Sequence, residues 1–339
     1  MYKRRSKDYI FLFIKGLYMG SANKVPGVSG GMIAMITGIY EEFIYSLQKI
    51  NRKALYLLWN RRFNSFFNYI NIRFQLAVNL GSATAYFTVS LLLDYLIAYY
   101  PIRVWSLFFG LILGSVYYIS KSVSLWNWKT MGMTALGTAV GLCISFMNPL
   151  PPNDSLIFIF FCGVIGVSGM TLPGLSGSFM LMLLGNYVLL MVDSVNNLFH
   201  VITSTLQGDF SWSFDPDRTH LLQVVIVFTT GSIIGMVGFS HILGYLLKRY
   251  HNGVTALLIG FITGSLGVVW PWKTPLYKLS KSGQPLVDSL GNKILITFHR
   301  FIPNELNTTT VWAGFWALVG MLLVFLIVGY ESKNAKKSP

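Results

Sequence analysis

The chain alternates long apolar runs with short polar connections. Ten runs can be drawn: 9–24, 27–48, 72–99, 102–120 and 131–148, then 155–171, 174–206, 221–247, 254–270 and 309–330. An α-helix needs roughly 20 apolar residues to cross a bilayer, so the pattern predicts an all-α polytopic membrane protein. Two boundaries are unusual. Lys24-Val25-Pro26-Gly27-Val28-Ser29-Gly30-Gly31-Met32 and Thr171-Leu172-Pro173-Gly174-Leu175-Ser176-Gly177-Ser178-Phe179 are polar Pro/Gly breaks set between apolar runs. Proline removes a helical N–H and glycine permits tight turns. Each stretch therefore predicts a broken or re-entrant helix.

The two breaks are copies of one another. Pro26 and Pro173 lie 147 residues apart (173 − 26), and the register holds at Ser21/Ser168, Gly38/Gly185 and Tyr40/Tyr187. Gly81-Ser82 returns as Gly231-Ser232, and the Gly110–Ser115 stretch returns as Gly260–Ser265, both displaced by 150 residues (231 − 81, 260 − 110). Small residues four apart let helices approach closely. The ordered series predicts one transmembrane domain, 1–339, built from two five-segment repeats, 9–148 and 155–330. An odd number of crossings per half inverts one repeat relative to the other, and re-entrant first hairpins would leave it odd. Duplicated breaks of this kind most often belong to transporters, with the two breaks meeting near the bilayer centre.

Composition agrees with a membrane class. Hydrophobic residues make up 53% of the chain and charged residues 11%, against about 25% charged in soluble domains. Trp and Tyr recur near segment ends, as at Tyr99, Tyr100, Trp126, Trp128, Trp270 and Trp272, where amphipathic rings suit the headgroup layer. The net charge of +14 does not form a groove-like nucleic-acid footprint. It collects at Lys3, Arg4, Arg5 and Lys7, at 49–62, and at Lys333, Lys336 and Lys337, the pattern of topology signals and anionic-lipid contact. Both termini are thus expected in the cytoplasm. Following the segments places 149–154 and the acidic 207–220 linker outside. The loop 271–308 also falls outside, although it carries Lys273, Lys278, Lys281, Lys293 and Arg300. Long loops translocate with less regard to charge, and a small amphipathic cap is expected there. The first segment lacks a small-residue cleavage site and does not read as a removable signal. Cys143 and Cys162 sit inside apolar runs, which predicts packing roles. No cofactor or metal constellation stands out.

Backbone groups that leave helical bonding cannot face lipid. Helices restarting after each break would turn free N–H groups and positive dipole ends inward, an arrangement suited to phosphate. The expected phosphate-binding set is Ser21, Asn23, Lys24, Gly27, Ser29 and Gly30 with Thr171, Gly174, Ser176, Gly177 and Ser178. An ammonium within a membrane segment costs roughly 2.5–3.5 kcal/mol on insertion scales. Lys24 is therefore the most suggestive single residue, the plainer reading being that it snorkels to the interface. Its counterpart is Thr171, so the pocket would be chemically asymmetric. Arg73 and Arg103 lie near segment edges, where they would anchor helices or draw in an acidic headgroup. Asp94 and His241 are aligned (241 − 94 = 147); with Glu41 they are candidates for proton coupling, against ordinary solvation near segment ends.

Gly27-Val28-Ser29-Gly30-Gly31 also matches G-x-S-x-G. A hydrolase elbow needs a strand-to-helix turn and a base, and no neighbouring strand is apparent. The rhomboid proteases, with a G-x-S-G serine and a histidine on another helix, offer a closer comparison, and His241 would have to be the base. Two such serines without two matching histidines are explained more simply as helix breaks. The same breaks would also suit a transporter of a small anion or a purely structural protein.

Over roughly residues 9–330 the chain resembles the bacterial and archaeal domain-of-unknown-function 368 family. The resemblance is carried by the Gly20–Gly31 and Ser168–Gly177 stretches quoted above. Members of that family look like undecaprenyl phosphate translocases, implicated in returning this carrier from the outer to the inner leaflet for peptidoglycan and teichoic-acid synthesis. The resemblance implies a multi-pass protein of the bacterial cytoplasmic membrane, a polyprenyl phosphate as partner and no enzymatic step. The P-G-x-S-G core of the first motif is kept, while the second copy diverges at Thr171 and Ser178. The abundant small residues would also permit a homodimer.

Overall fold

The computed structural model describes residues 4, 6–24, 29–174, 176–277, 279, 284, 286, 295–303, 305 and 307–335. The first half contains α1 (Ser6–Lys24), α2 (Gly30–Ile36), α3 (Tyr40–Gln48), α4 (Arg52–Trp59), α5 (Phe63–Tyr69), α6 (Ile72–Phe87), α7 (Val89–Tyr99), α8 (Pro101–Ser120) and α9 (Trp128–Phe146). The second contains α10 (Leu156–Thr171), α11 (Gly177–Leu183), α12 (Ser194–Leu206), α13 (Pro216–Arg249), α14 (His251–Ser265) and α15 (Thr308–Ala335). A π-helical turn, Leu189–Asp193, precedes α12, and a short 3₁₀ turn follows it.

Among the described residues three helices, Pro101–Ser120, Pro216–Arg249 and Thr308–Leu326, are long and apolar enough to cross a membrane. Large apolar side chains such as Ile226, Ile233, Leu318 and Leu326 point outward from them, as lipid contact requires. The segments after the breaks are different. At 1.5 Å per residue, the seven residues of α2 or α11 rise about 10 Å, against a hydrocarbon core of about 30 Å. Neither can cross alone. The run 27–48 is α2 and α3 joined by an elbow at Gly38, and 174–206 is α11, the π turn and α12. The run 72–99 is also divided, at Thr88 between α6 and α7, whereas the corresponding stretch of α13 is continuous.

Four helix pairs build the body: α1 on α6, α10 on α13, α9 on α14 and α8 on α15. Each pair depends on glycine, because a Cβ would overlap a carbonyl on the facing helix. Gly16 lies against Val78, Gly81 against Phe13, Gly163 against Phe228 and Gly231 against Phe160. The same holds for Gly110 against Ala317, Gly320 against Leu107, Gly260 against Thr134 and Gly137 against Leu257. In every pair contact positions rise together along both chains, as in Gly16/Val78 with Gly20/Ser82 and Gly260/Thr134 with Gly264/Thr138. All four pairs are therefore parallel.

The expected cap over 271–308 is not helical. It contains β1 (Lys273–Tyr277) and β2 (Leu295–Arg300), paired antiparallel with Lys273 opposite Arg300. This corrects the all-α expectation locally; Thr274, Tyr277, Thr297 and Phe298 suit strands better than helix. The strands sit over the C-terminal ends of α9 and α14: the Arg300 guanidinium donates to the Ser145 carbonyl (2.7 Å), and Lys273 Nζ donates to the Val268 carbonyl (2.6 Å). Cations there complement the helix dipoles. At the other end of α8, Tyr118 and Lys121 share a cavity with Glu41 and His251. Arg4 bonds Glu42, the neighbour of Glu41, and the Tyr117 ring meets Phe325 on α15. Arg4 and the C-terminal part of α15 therefore lie towards this second end, called here the basic face, opposite the hairpin face.

Candidate functional site

The two breaks are capped alike and held against each other. Serine is a favoured N-cap because its oxygen accepts a first-turn N–H that has no helical partner. Ser29 has extended backbone (φ −111°, ψ 135°) and accepts from Gly31 N (3.1 Å). Ser176 repeats this geometry (φ −101°, ψ 144°) and accepts from Phe179 N (3.3 Å). Ser29 is fully buried and Ser176 nearly so.

The Ser29 hydroxyl also crosses between halves, donating to the Leu172 carbonyl at 2.8 Å. One residue earlier, the Thr171 carbonyl accepts from the buried Tyr40 hydroxyl at 3.1 Å. Carbonyls at the C-terminal end of α10 are thus occupied by donors from the first half. This matters electrostatically, because a broken helix exposes a negative carbonyl end beside a positive N–H end. Tying off the carbonyls offsets that negative end, while the Gly30, Gly31 and Phe179 N–H groups are themselves taken up by Asn23, Ser29 and Ser176. Gly31 permits the close approach, since a Cβ there would stand 2.9 Å from the Thr171 oxygen.

The remaining expected site residues divide. Asn23 Oδ1 accepts from Gly30 N at 2.7 Å and so holds α1 to the start of α2. Gly174 has φ +100° and packs on Ile262 and Ser265 of α14; only glycine takes both the backbone angle and the contact without strain. Gly177 rests on Met170 and the Gly166 carbonyl, and the Ser176 and Ser178 hydroxyls are 3.2 Å apart. The hydroxyls of Ser21 and Thr171 donate within their own helices, to Leu17 and Ser168 carbonyls at 2.8 Å each. These two bonds do not span the breaks. Gly27 and the Lys24 side chain lie outside the described residues.

Arg73 and Arg103 do not form one approach route, because they sit at opposite ends. Arg73 lines a cavity of about 650 Å³ at the basic face with Arg4, Glu42, Lys49 and Asn71. Arg103 stacks on Tyr100 and Trp312 (5.0 and 5.4 Å to the ring centres) near the hairpin face, the geometry of an interfacial anchor. Glu41 pairs with His251 at 2.9 Å, with both side chains about half exposed. His241 Nδ1 lies 2.8 Å from the Val237 carbonyl in its own helix, while the Asp94 side chain is outside the described residues. Among the described residues no group of three His, Cys, Asp or Glu could hold a metal.

Sequence reasoning missed Tyr40 as a hydrogen-bonding residue, His251 as the partner of Glu41, and Asn186. The Tyr40/Tyr187 register was the one signal for the first. The other two depend on contacts between distant elements.

The profile of the VCA0040-like, undecaprenyl phosphate translocase-like family matches residues 19–285, which include both breaks. The chain belongs to this family. It is 32% identical over 336 residues to a polyprenyl-phosphate transporter of Vibrio cholerae serotype O1, covering 98% of this chain and 99% of the relative. It is also 32% identical over 273 residues to a polyprenyl-phosphate transporter of Staphylococcus aureus, covering 76% of this chain and 85% of the relative. No solved structure matches.

Proposed function

We propose that this chain carries a polyprenyl phosphate, undecaprenyl phosphate in a bacterium, across the cytoplasmic membrane from the outer to the inner leaflet for reuse in cell-wall polymer synthesis. The basic face is cytoplasmic in this reading and the hairpin face external. Ser29, Gly30, Ser176, Gly177 and Ser178 at the restarted helices, with Asn23, Thr171, Gly174 and Ser21 around them, form the phosphate site, completed by Lys24 and Gly27 as the sequence predicts. The isoprenoid tail remains in lipid through a lateral opening, which avoids drawing it through water.

The carrying observation is the 2.8 Å bond from Ser29 to Leu172, which unites two anion-friendly breaks in one place. Transporter substrate sites are commonly built from discontinuous helices whose N-terminal ends face anionic groups. Relatives named for polyprenyl phosphate supply the lipid.

We also propose that the halves are inverted repeats. The glycine contacts recur in register: Gly16/Val78 and Gly163/Phe228 differ by 147 and 150 residues, while Gly110/Ala317 and Gly260/Thr134 differ by 150 and 183 (317 − 134). Each fourth helix packs on the fifth helix of the other half, α8 on α15 and α14 on α9. The 33 extra residues in the last offset (183 − 150) fall in the hairpin loop.

The test is leaflet movement of undecaprenyl phosphate in proteoliposomes with matched protein insertion, comparing the intact chain with Lys24→Ala and Ser176→Ala. Movement by the intact chain and its loss in the variants supports the reading. Equal movement in all three keeps the transporter and removes these residues from the headgroup path. No movement in any, with or without a pH gradient and with the proteins folded, overturns the lipid reading in favour of a small anion.

A further inference from the structure

The internal symmetry is broken at the two elbows. Gly38 and Gly185 are counterparts (185 − 38 = 147), and both are left-handed, at φ +68° and +75°. At Gly38, no described residue lies within 4 Å of where a Cβ would stand, and the elbow borders cavities of about 650 and 430 Å³. At Gly185 a Cβ would overlap the Leu150 carbonyl and touch Pro151.

The covering element is the linker between the halves. Leu150 N donates to the Leu183 carbonyl at 2.8 Å. Asn186, fully buried, accepts from Asn153 N at 2.9 Å and donates to the Asn153 carbonyl at 2.5 Å. The position corresponding to Asn186 in the first half is Ile39 (186 − 147), a core residue with no side-chain hydrogen bond to offer. Among the described residues the first elbow has no such linker across it; its Thr37 carbonyl accepts instead from Lys15 of α1 at 2.6 Å. The linker follows α9, whose end is held by Arg300, so the sealed elbow belongs to the hairpin face.

We propose that the Leu150–Asn153 linker is the hairpin-face gate of this transporter, latched by Asn186 and closed in this structure. This rests on the transport reading above. Opening requires the linker to leave Asn186 and Leu183, which would give water a route to the second break from the hairpin side. Gly185 then has two duties: it allows the left-handed elbow and leaves room for the Leu150 carbonyl. Gly38 has only the first. The pair separates gating from backbone strain, because alanine at either position carries a similar conformational penalty.

Cys162 reports on the gate. It is 1% exposed and lies beside the Asn186 side chain; the chain has only one other cysteine, Cys143. In a Cys143→Ser background, reconstituted protein would be treated with a membrane-impermeant maleimide from either side. Gly185→Ala and Asn186→Ala should speed Cys162 modification at least tenfold from the hairpin side alone, with Gly38→Ala near the parent rate. Equal acceleration by Gly38→Ala, acceleration from both sides, or no acceleration in folded Gly185→Ala and Asn186→Ala protein would each overturn the gate. The readout needs no lipid, so it stands apart from the leaflet assay. A gate that responds to these variants in protein that moves no undecaprenyl phosphate would overturn the lipid reading and keep the gate.

Discussion

Ser29 Oγ stands 2.8 Å from the Leu172 carbonyl, 143 residues away in sequence, and is a direct side-chain link between the two helix breaks. The same oxygen caps Gly31 N, so one hydroxyl satisfies a donor from the first break and an acceptor from the second. Ser29→Ala leaves both buried groups without this partner. An unsatisfied buried polar group costs about 1–3 kcal/mol, and the expected outcome is a lowered unfolding midpoint in detergent together with loss of undecaprenyl phosphate movement. A midpoint equal to that of the parent would show that the bond carries no weight.

Tyr40→Phe is a milder change at the same junction. It removes the donor to the Thr171 carbonyl and keeps the ring that packs with Ile44, Phe74 and Leu243. The expected destabilisation is about 1 kcal/mol, smaller than that of Ser29→Ala. Transport should slow, because the freed carbonyl returns negative potential to the junction. Chemical denaturation and the leaflet assay check the two effects separately.

Glycine position, and not glycine content, decides the next outcome. Gly110→Ala and its counterpart Gly260→Ala each drive a Cβ into a facing carbonyl, of Ala317 and Thr134 respectively. Overpacking of this kind costs typically 1–3 kcal/mol, and the two losses should be similar. Gly132→Ala and Gly314→Ala sit in α9 and α15 with no described residue within 4 Å of the new Cβ. There alanine should be neutral or stabilising by up to about 1 kcal/mol, its advantage in helix propensity. Thermal unfolding of the four variants tests both directions.

These symmetric contacts explain what the sequence could reveal. The breaks, the 147- and 150-residue offsets and the small-residue pairs are local patterns, and local patterns survive in one dimension. Pairing α9 with α14 and α8 with α15 exchanges helices between halves, and hydropathy carries no record of which partner a glycine face meets. The β1–β2 hairpin was hidden for another reason: its basic residues read as a topology anomaly, whereas Lys273 and Arg300 turn back onto helix ends. At the site, the serine caps were legible because they lie beside their prolines. Tyr40, His251 and Asn186 act across elements, and Asn186 departs from the repeat at the very position where its counterpart is Ile39.

Glu41 and His251 form an accessible pair, with side chains 49% and 48% exposed, and such pairs contribute little to stability, typically 0.2–1 kcal/mol. Glu41→Gln should therefore leave the unfolding midpoint nearly unchanged. If Glu41 carries a coupling proton, the same variant should lose the response of lipid movement to an imposed pH gradient while retaining basal movement. Retention of the full gradient response would remove Glu41 from proton coupling.

Lys273 gives a pH dependence whose sign is fixed by its surroundings. Its ammonium stands over the Trp105 ring at 3.2 Å from the centre and over Phe298 at 4.3 Å, with the Val268 carbonyl as acceptor. The aromatic faces and the carbonyl favour the cation, but burial, aided by nearby Arg300, outweighs them and holds the Lys273 pKa well below the ordinary 10.5. The unfolded chain therefore binds the proton more tightly. Stability linked to this residue is fully present above about 10.5 and is lost as pH falls towards the depressed folded value, with a slope of at most about 1.4 kcal/mol per pH unit. Lys273→Met keeps an unbranched chain against Trp105 and carries no proton to release. Unfolding midpoints measured from pH 7 to 10 should rise more steeply for the parent than for Lys273→Met, and the variant should be the more stable at the lower end. Parallel curves would mean that the ammonium is hydrated in the folded protein and that the hairpin is held by its aromatic contacts alone.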